Sequence, residues 1–286
     1  MFASEIIRHP DGRTSKVFRV GQGPLVVWLH GPRGIRGSDP VIHELAKRHT
    51  VVAPLAPGFA DLTELDEIRN VHELALHYDD VLEALGLDAV TLIGHSFGAM
   101  VAAEVAAHFP RRVARLVLIS PLGLWQDQHP LPDMFGQVPY MTIDTLLWKA
   151  GKAIPAMADP ADEPNDPVER QVAIAQALTS VAKFVWPLPD RGLRRRLPRI
   201  TAQTLVIAGA DDRFVPASYV EEFASLIRAP AWQSFRTPPI WCRTSSRPMF
   251  SASSTGGSAP EHFRTKREPP RGRKCDRKSK VRGRVK

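Results

Sequence analysis

Short apolar runs and helix-period stretches take turns along the first 120 residues of this chain. "PLVVWLHG" at 24–31 is a continuous apolar run closed by glycine, the pattern of a strand buried on both faces. "SDPVIHELAKRH" at 38–49 then reads as a helix, with Ser38 as N-cap, Pro40 in the first turn, and Ile42, Leu45 and Ala46 on one face. "TVVAPLAPG" at 50–58 is a second strand running into a Pro/Gly loop. Residues 70–86 form a helix with clear punctuation. Asn70 and Glu73 have capping-box spacing, Val71, Leu74, Ala75, Tyr78, Leu82 and Leu85 make the apolar stripe, and Gly86 stands where the helix should stop. "AVTLIG", "SFGAMVAAEVAAHF" and "RLVLIS" continue the order strand, helix, strand to residue 120.

Such alternation specifies an α/β fold, a mostly parallel sheet flanked by helices. Residues 122–198 break the rhythm. They are rich in proline, carry Trp125, Trp148 and Trp186, and hold one clear helical stretch at about 168–184. The rhythm returns with "QTLVIAG" at 203–209 and the helix "PASYVEEFASLIR" at 216–228, then ceases. The expected organisation is a core in two parts, 1–121 and 199–230, an inserted cap at 122–198, and a tail at 231–286.

Composition changes this picture at one end only. The chain of 286 residues has a net charge of +8, which by itself suggests a nucleic-acid or other acidic partner. The charge is not spread evenly. Residues 231–286 hold 15 Lys/Arg against 3 Asp/Glu, whereas residues 1–230 hold 23 against 27. The body is therefore mildly acidic, and the tail, lacking either hydrophobic period, reads as disordered. Both cysteines, Cys242 and Cys275, lie in that tail, which leaves no basis for a disulfide framework or a CxxC metal site. The amino terminus has no hydrophobic signal core and no apolar run approaches membrane-spanning length, so a soluble cytoplasmic protein without membrane association is expected.

The candidate chemistry lies in Gly94-His95-Ser96-Phe97-Gly98, a G-x-S-x-G pattern between a strand and a helix. A nucleophile on a sharp strand-to-helix turn sits in a crowded backbone, and the flanking glycines relieve the crowding. The helix that follows points its first N–H groups at a developing oxyanion, with the Phe97 N–H as the expected donor. Together "WLHG" at 28–31, "VVAPLAPGF" at 51–59, "LIGHSFG" at 92–98, "RLVLISPLG" at 115–123 and "LVIAGADDRFVP" at 205–216 make the chain resemble, over residues 15–228, the α/β-hydrolase fold with a helical cap inserted after strand six.

The resemblance implies a Ser nucleophile at Ser96 and an acid at Asp212, with Asp211 as the alternative one residue away. It implies acyl transfer to water, or a close variant such as hydrolytic C–C cleavage, on a small ester, thioester, lactone or related carbonyl substrate. No metal or organic cofactor is implied. The second oxyanion donor in such proteins follows the His-Gly of the first motif. Here that residue is Pro32, which has no N–H, so either Arg33 or Gly34 donates through a shifted loop or the hole is one bond short. His30 reads as a loop-orienting histidine and His95 as pointing away from the nucleophile. The three tryptophans are expected to pack the cap and to line an apolar acyl pocket.

The general base is missing from its place. The resemblance implies a histidine about twenty-five to thirty residues past the acid, and the one histidine after Asp212 is His262, in "SAPEHFRTKRE" with no strand before it and no helix after it. Read from the third base of the Ala231 codon with GC-rich codons, the stretch gives "VAVVPHAAHLVPYEQPADVQRVIDRWFGA", a strand, histidine loop and helix in family order. The histidine codon straddles Pro239 and Ile240, and Trp241–Cys242 and Met249–Phe250 each force valine in that frame. The expectation is a frameshift near 228–231, with the last strand and helix of the fold missing. The competing reading is a non-catalytic pseudo-hydrolase whose basic tail binds nucleic acid or acidic partners. The tail shows neither a folded basic face nor aromatic interleaving, which disfavours it.

Overall fold

The computed structural model describes residues 2–133, 135, 166–209, 212, 214–228 and, as backbone, 230–235. Eight strands form one sheet: β1 (Ala3–Arg8), β2 (Thr14–Val20), β3 (Leu25–Leu29), β4 (Thr50–Pro54), β5 (Val90–His95), β6 (Val113–Ile119), β7 (Gln203–Gly209) and β8 (Pro230–Phe235). Their spatial order is β1-β2-β4-β3-β5-β6-β7-β8. From β4 to β8 every pairing is parallel, and β1 and β2 pair antiparallel at one edge. The helices are α1 (Pro40–Ala46), α2 (Val71–Ala84), α3 (Phe97–His108), α4 (Pro167–Val185), α5 (Leu193–Arg196) and α6 (Ala217–Leu226). The α/β architecture expected from the alternating pattern is the one observed.

The buried strand runs form the centre. Val26, Val27, Trp28 and Leu29 on β3 and Leu92 and Ile93 on β5 are each at most 4% exposed. Helix α3 is enclosed along its length, every residue from Phe97 to Ala107 being buried. Its run of alanines lets it lie close to the sheet, and its one carboxylate, Glu104, is neutralised by Arg196 through two bonds of 2.6 and 2.7 Å. That buried pair ties α3 to the segment returning from the cap.

The punctuation of α2 is as its sequence implies. Asn70 accepts from the His72 and Glu73 N–H groups, while Gly86 and Leu87 close the far end by donating to Glu83 and Leu82. The Glu73 carboxylate reaches one residue further back than a capping box, to the Arg69 N–H. At α1 the expected cap is corrected. Asp39, not Ser38, accepts from Val41 and Ile42, because Pro40 occupies the first helical position and only the residue before it can cap. Helix α4, with Asp166 accepting from the Val168 N–H, matches the helical stretch expected inside the cap.

Two features depart from expectation. The β1–β2 hairpin carries no obvious strand signal beyond residue 15 and is fastened by buried polar side chains: Ser15 Oγ lies 2.9 Å from His9 Nε2 and 3.4 Å from His77 Nε2 of α2. The last strand, expected to be missing, is present. β8 runs parallel to β7 from Thr204↔Pro230 to Gly209↔Phe235. The open edge of β7 offers a row of backbone donors and acceptors, and a short stretch that places its proline first can pair with it whatever its side chains. The helix expected to be missing after it falls outside the described residues.

Candidate active site

The carboxyl ends of β3, β5, β6 and β7 lie side by side, as the parallel order requires, and the motif residues sit on the turns that leave them. Ser96 follows β5 directly and has φ 54° and ψ −113°, a conformation that a non-glycine residue adopts at a cost of order 1–3 kcal/mol. The turn is tight because the glycines on either side leave room. A Cβ on Gly94 would stand 2.4 Å from the Gly98 carbonyl oxygen, and one on Gly98 would stand 2.1 Å from that of Leu29. The Ser96 hydroxyl does not cap its own helix, although the residue is the N-cap of α3. It stands at the amino end of a helix that is buried from Phe97 to Ala107.

Phe97 is the first residue of α3, and its ring stacks on Phe184 of α4 at 6.1 Å between centroids. Arg33 stands in the turn after β3, where the Gly34 N–H donates to the Gly31 carbonyl at 3.2 Å. Gly34, the other donor open to the sequence, is thereby committed to the turn itself.

Asp212 lies on the turn after β7, two strands from Ser96, a gap of about 10 Å at ordinary strand spacing. Oδ1 accepts from the Phe214 and Val215 N–H groups, each at 2.9 Å, and Oδ2 accepts from the Ser120 hydroxyl at 2.9 Å. Burial raises its pKa, opposed by these three hydrogen bonds. Ser120, at the end of β6, is a functional candidate that the sequence did not single out. Asp211 lies outside the described residues.

None of the histidines near Ser96 can act as its base. His30 Nε2 accepts the Ala56 N–H at 2.9 Å, which fixes the proton on Nδ1, 2.7 Å from the Gly31 carbonyl. Its lone pair is taken, Phe59 packs edge-on against the ring at 4.6 Å, and burial lowers its pKa to about 4. His95 is lowered to about 3, by burial first and His30 second. Its ring lies against Gly31, where a Cβ would approach Nδ1 to 2.7 Å. His262 lies outside the described residues, as does Trp148. Trp125 packs partly buried against the core, but Trp186 is 56% exposed, a correction to its expected place in the cap's packing. It follows the last residue of α4, and the chain leaves the helix there toward solvent.

Among the described residues no group of three or more His, Cys, Asp or Glu side chains could hold a metal ion, and no helix is long and apolar enough to cross a membrane.

Comparison with known proteins agrees with the α/β architecture. The family profile described as "Alpha/beta hydrolase family" matches residues 26–255. A 2-hydroxy-6-oxo-2,4-heptadienoate hydrolase of Pseudomonas putida is 27% identical over 224 residues, covering 72% of this chain and 78% of the relative. A 2-hydroxy-6-oxo-6-phenylhexa-2,4-dienoate hydrolase of Burkholderia cepacia is 29% identical over 220 residues, covering 70% and 75%. The polyketide synthase ThaQ of Burkholderia thailandensis is 29% identical over 240 residues, 78% of this chain, which spans only 11% of that protein's length. Among solved structures, a serine hydrolase involved in carbazole degradation superposes with a TM-score of 0.63 at 20% identity, covering 82% of this chain and 90% of the other. A meta-cleavage product hydrolase of Pseudomonas fluorescens does so at 0.58 and 20%, covering 82% and 89%.

Proposed function

Because this chain belongs to the alpha/beta hydrolase family, we propose that it is built as a serine hydrolase in which Ser96 attacks a small carbonyl substrate. The observation that carries the reading is the strained turn at Ser96, φ 54°, whose hydroxyl is withheld from capping its own helix. In the proposed reaction Ser96 Oγ adds to the carbonyl and gives its proton to a base. The oxyanion is met by the N–H groups of Phe97 and Arg33, and the leaving group departs with that proton. Water then releases the acyl group by the same steps. Asp212 is the acid that would orient the base. The substrate is an ester, a thioester, a lactone, or a 2-hydroxy-6-oxo-dienoic acid of the kind named in the relatives, cleaved at a C–C bond.

The base is the weak member. His30 and His95 are excluded by their partners and low pKa values, so this chain is expected to react at Ser96 with only the oxyanion donors and substrate binding to help, on the order of 10³–10⁴ over water. The loss follows from a change of reading frame near 228–231, which removes a histidine codon straddling Pro239 and Ile240. The nucleotide sequence of the gene tests that origin. A second frame without a histidine there would end it.

The nucleophile itself is tested by labelling the full chain with a fluorophosphonate and locating the adduct by mass spectrometry, beside p-nitrophenyl acetate turnover. Slow labelling at Ser96, abolished in Ser96→Ala, is expected. Equal labelling and turnover in both proteins would remove Ser96 from the mechanism.

A further inference from the structure

We propose that Ser120, on the turn after β6, is a positioning residue that couples the nucleophile turn to the acid turn; the role rests on the assignment of Ser96 and Asp212 above. Ser120 has φ 44°, and with Ala89 and Ser96 it is one of three non-glycine residues at positive φ among those described. A serine held there without need carries a backbone strain that glycine would avoid. The reason for tolerating it is visible in what the residue touches.

Its backbone is pinned between neighbouring strand ends. The Ser120 N–H donates to the Ile207 carbonyl of β7 at 2.8 Å. On the other side the Ser96 N–H donates to the carbonyl of Ile119 at 2.8 Å, and the Leu122 N–H donates back to the Ser96 carbonyl at 3.3 Å. The turn that carries Ser120 is thus bonded to the nucleophile's own peptide groups, while its hydroxyl reaches the other way to Asp212 Oδ2.

An ionised carboxylate offers about four acceptor directions, two on each oxygen. The Phe214 and Val215 N–H groups occupy both of those on Oδ1, and Ser120 occupies one of those on Oδ2. Among the contacts of the described residues one direction is left over, on Oδ2, and it is the one offered to an imidazole N–H. The two backbone donors alone would leave the carboxylate free to tilt about its Oδ1 contacts. The Ser120 hydroxyl removes that freedom and sets where the last lone pair points. The left-handed backbone aims the hydroxyl there, which explains why a serine is kept where glycine would fit more easily.

The test reads Asp212 directly and does not depend on turnover. The full chain is prepared with carboxyl-¹³C aspartate, and the Asp212 resonance is identified by its loss in Asp212→Asn. Ser120→Ala removes the hydroxyl and keeps the strain; Ser120→Gly removes both and guards against a failure to fold. Losing a bond that favours the ionised form should raise the Asp212 midpoint by about one pH unit in both variants. Their melting temperatures should diverge, with Ser120→Gly the higher. An unchanged midpoint in both variants overturns the proposal. So does a shift confined to Ser120→Gly, which would trace the effect to relief of backbone strain and not to the lost hydroxyl. Fluorophosphonate labelling of Ser96 is followed separately. Its absence beside an intact Asp212 shift would defeat the nucleophile assignment and leave the link between Ser120 and Asp212 standing.

Discussion

The turn after β5 and the turn after β7 each present one polar side chain at the same edge of the sheet, yet different forces hold them. Excluded volume holds the nucleophile turn. Gly94 and Gly98 lie so close to other backbone that no side chain fits at either, and Ser96 is forced into a left-handed conformation. Hydrogen bonds hold the acid turn: two from the neighbouring N–H groups of Phe214 and Val215, one from Ser120, 92 positions earlier in the chain. A steric constraint demands one residue type at fixed spacing and so leaves a motif. A hydrogen-bond constraint accepts any donor the fold brings near, and leaves none.

The comparison is tested most severely by adding a methyl group on the steric side. In Gly98→Ala the new Cβ meets the Leu29 and His30 carbonyl oxygens at 2.1 and 2.5 Å, neither of which can move without displacing β3. We expect a loss of more than ~4 kcal/mol, seen as failure to give soluble protein or as collapse of the thermal transition.

A polar contact can approach this effect only where it is buried and charged. Arg196→Met strands Glu104, 1% exposed, behind the nucleophile turn and should cost about 3–5 kcal/mol in denaturant unfolding. Arg196→Met combined with Glu104→Leu should recover most of that loss. A double variant as unstable as the single one would show that packing, not charge, fastens α3.

Acid probes burial more widely, because the chain carries buried neutral imidazoles at His30 and His95 and, on α2, at His77. His30 is held at about 4, and His77 and His95 at about 3, all by burial first. Below 6.5 the unfolded chain takes up protons that these folded residues refuse. Stability is therefore full above pH 6.5 and falls by about 1.4 kcal/mol per pH unit for each imidazole down to its folded value. Asp39, raised to about 6 by burial, runs the other way. It keeps a proton between 3.8 and 6 that the unfolded chain has lost, and offsets one imidazole over that interval. Chemical denaturation at stepped pH should show the midpoint dropping from pH 6.5 downward. A flat profile to pH 5 would mean that these histidines are not buried neutral.

The smallest effect has the opposite sign. Ser96→Gly relieves the left-handed strain and should raise stability by about 1 kcal/mol, read as a melting temperature a few degrees higher. No gain would mean that the turn is not strained and would weaken the argument drawn from it.

Much of this was legible before any coordinates. The apolar runs marked β3 to β7, the Asn70 cap and Gly86 marked the ends of α2, and the G-x-S-x-G spacing marked the turn at Ser96. Each is a local constraint, written by a residue within a few positions of the feature it controls. The N-cap of α1 was misplaced by one residue because Ser38 and Asp39 both cap well, and the choice was made by where Pro40 could begin the helix. The β1–β2 hairpin was not legible because its attachment is a contact of Ser15 with His9 in its own turn and with His77 on the distant α2.

What the amino-acid order determined alone was therefore the alternation of strand and helix, the steric turn at Ser96 and the carboxylate offered at Asp212. Only the tertiary structure decided that the edge of β7 is covered by β8, that His30 spends its lone pair on the Ala56 N–H, and that Ser120 stands between Ser96 and Asp212. Those three depend on which backbone donors and acceptors meet across strands far apart in the chain. Such meetings follow from the order of strands in the sheet, which no local pattern records.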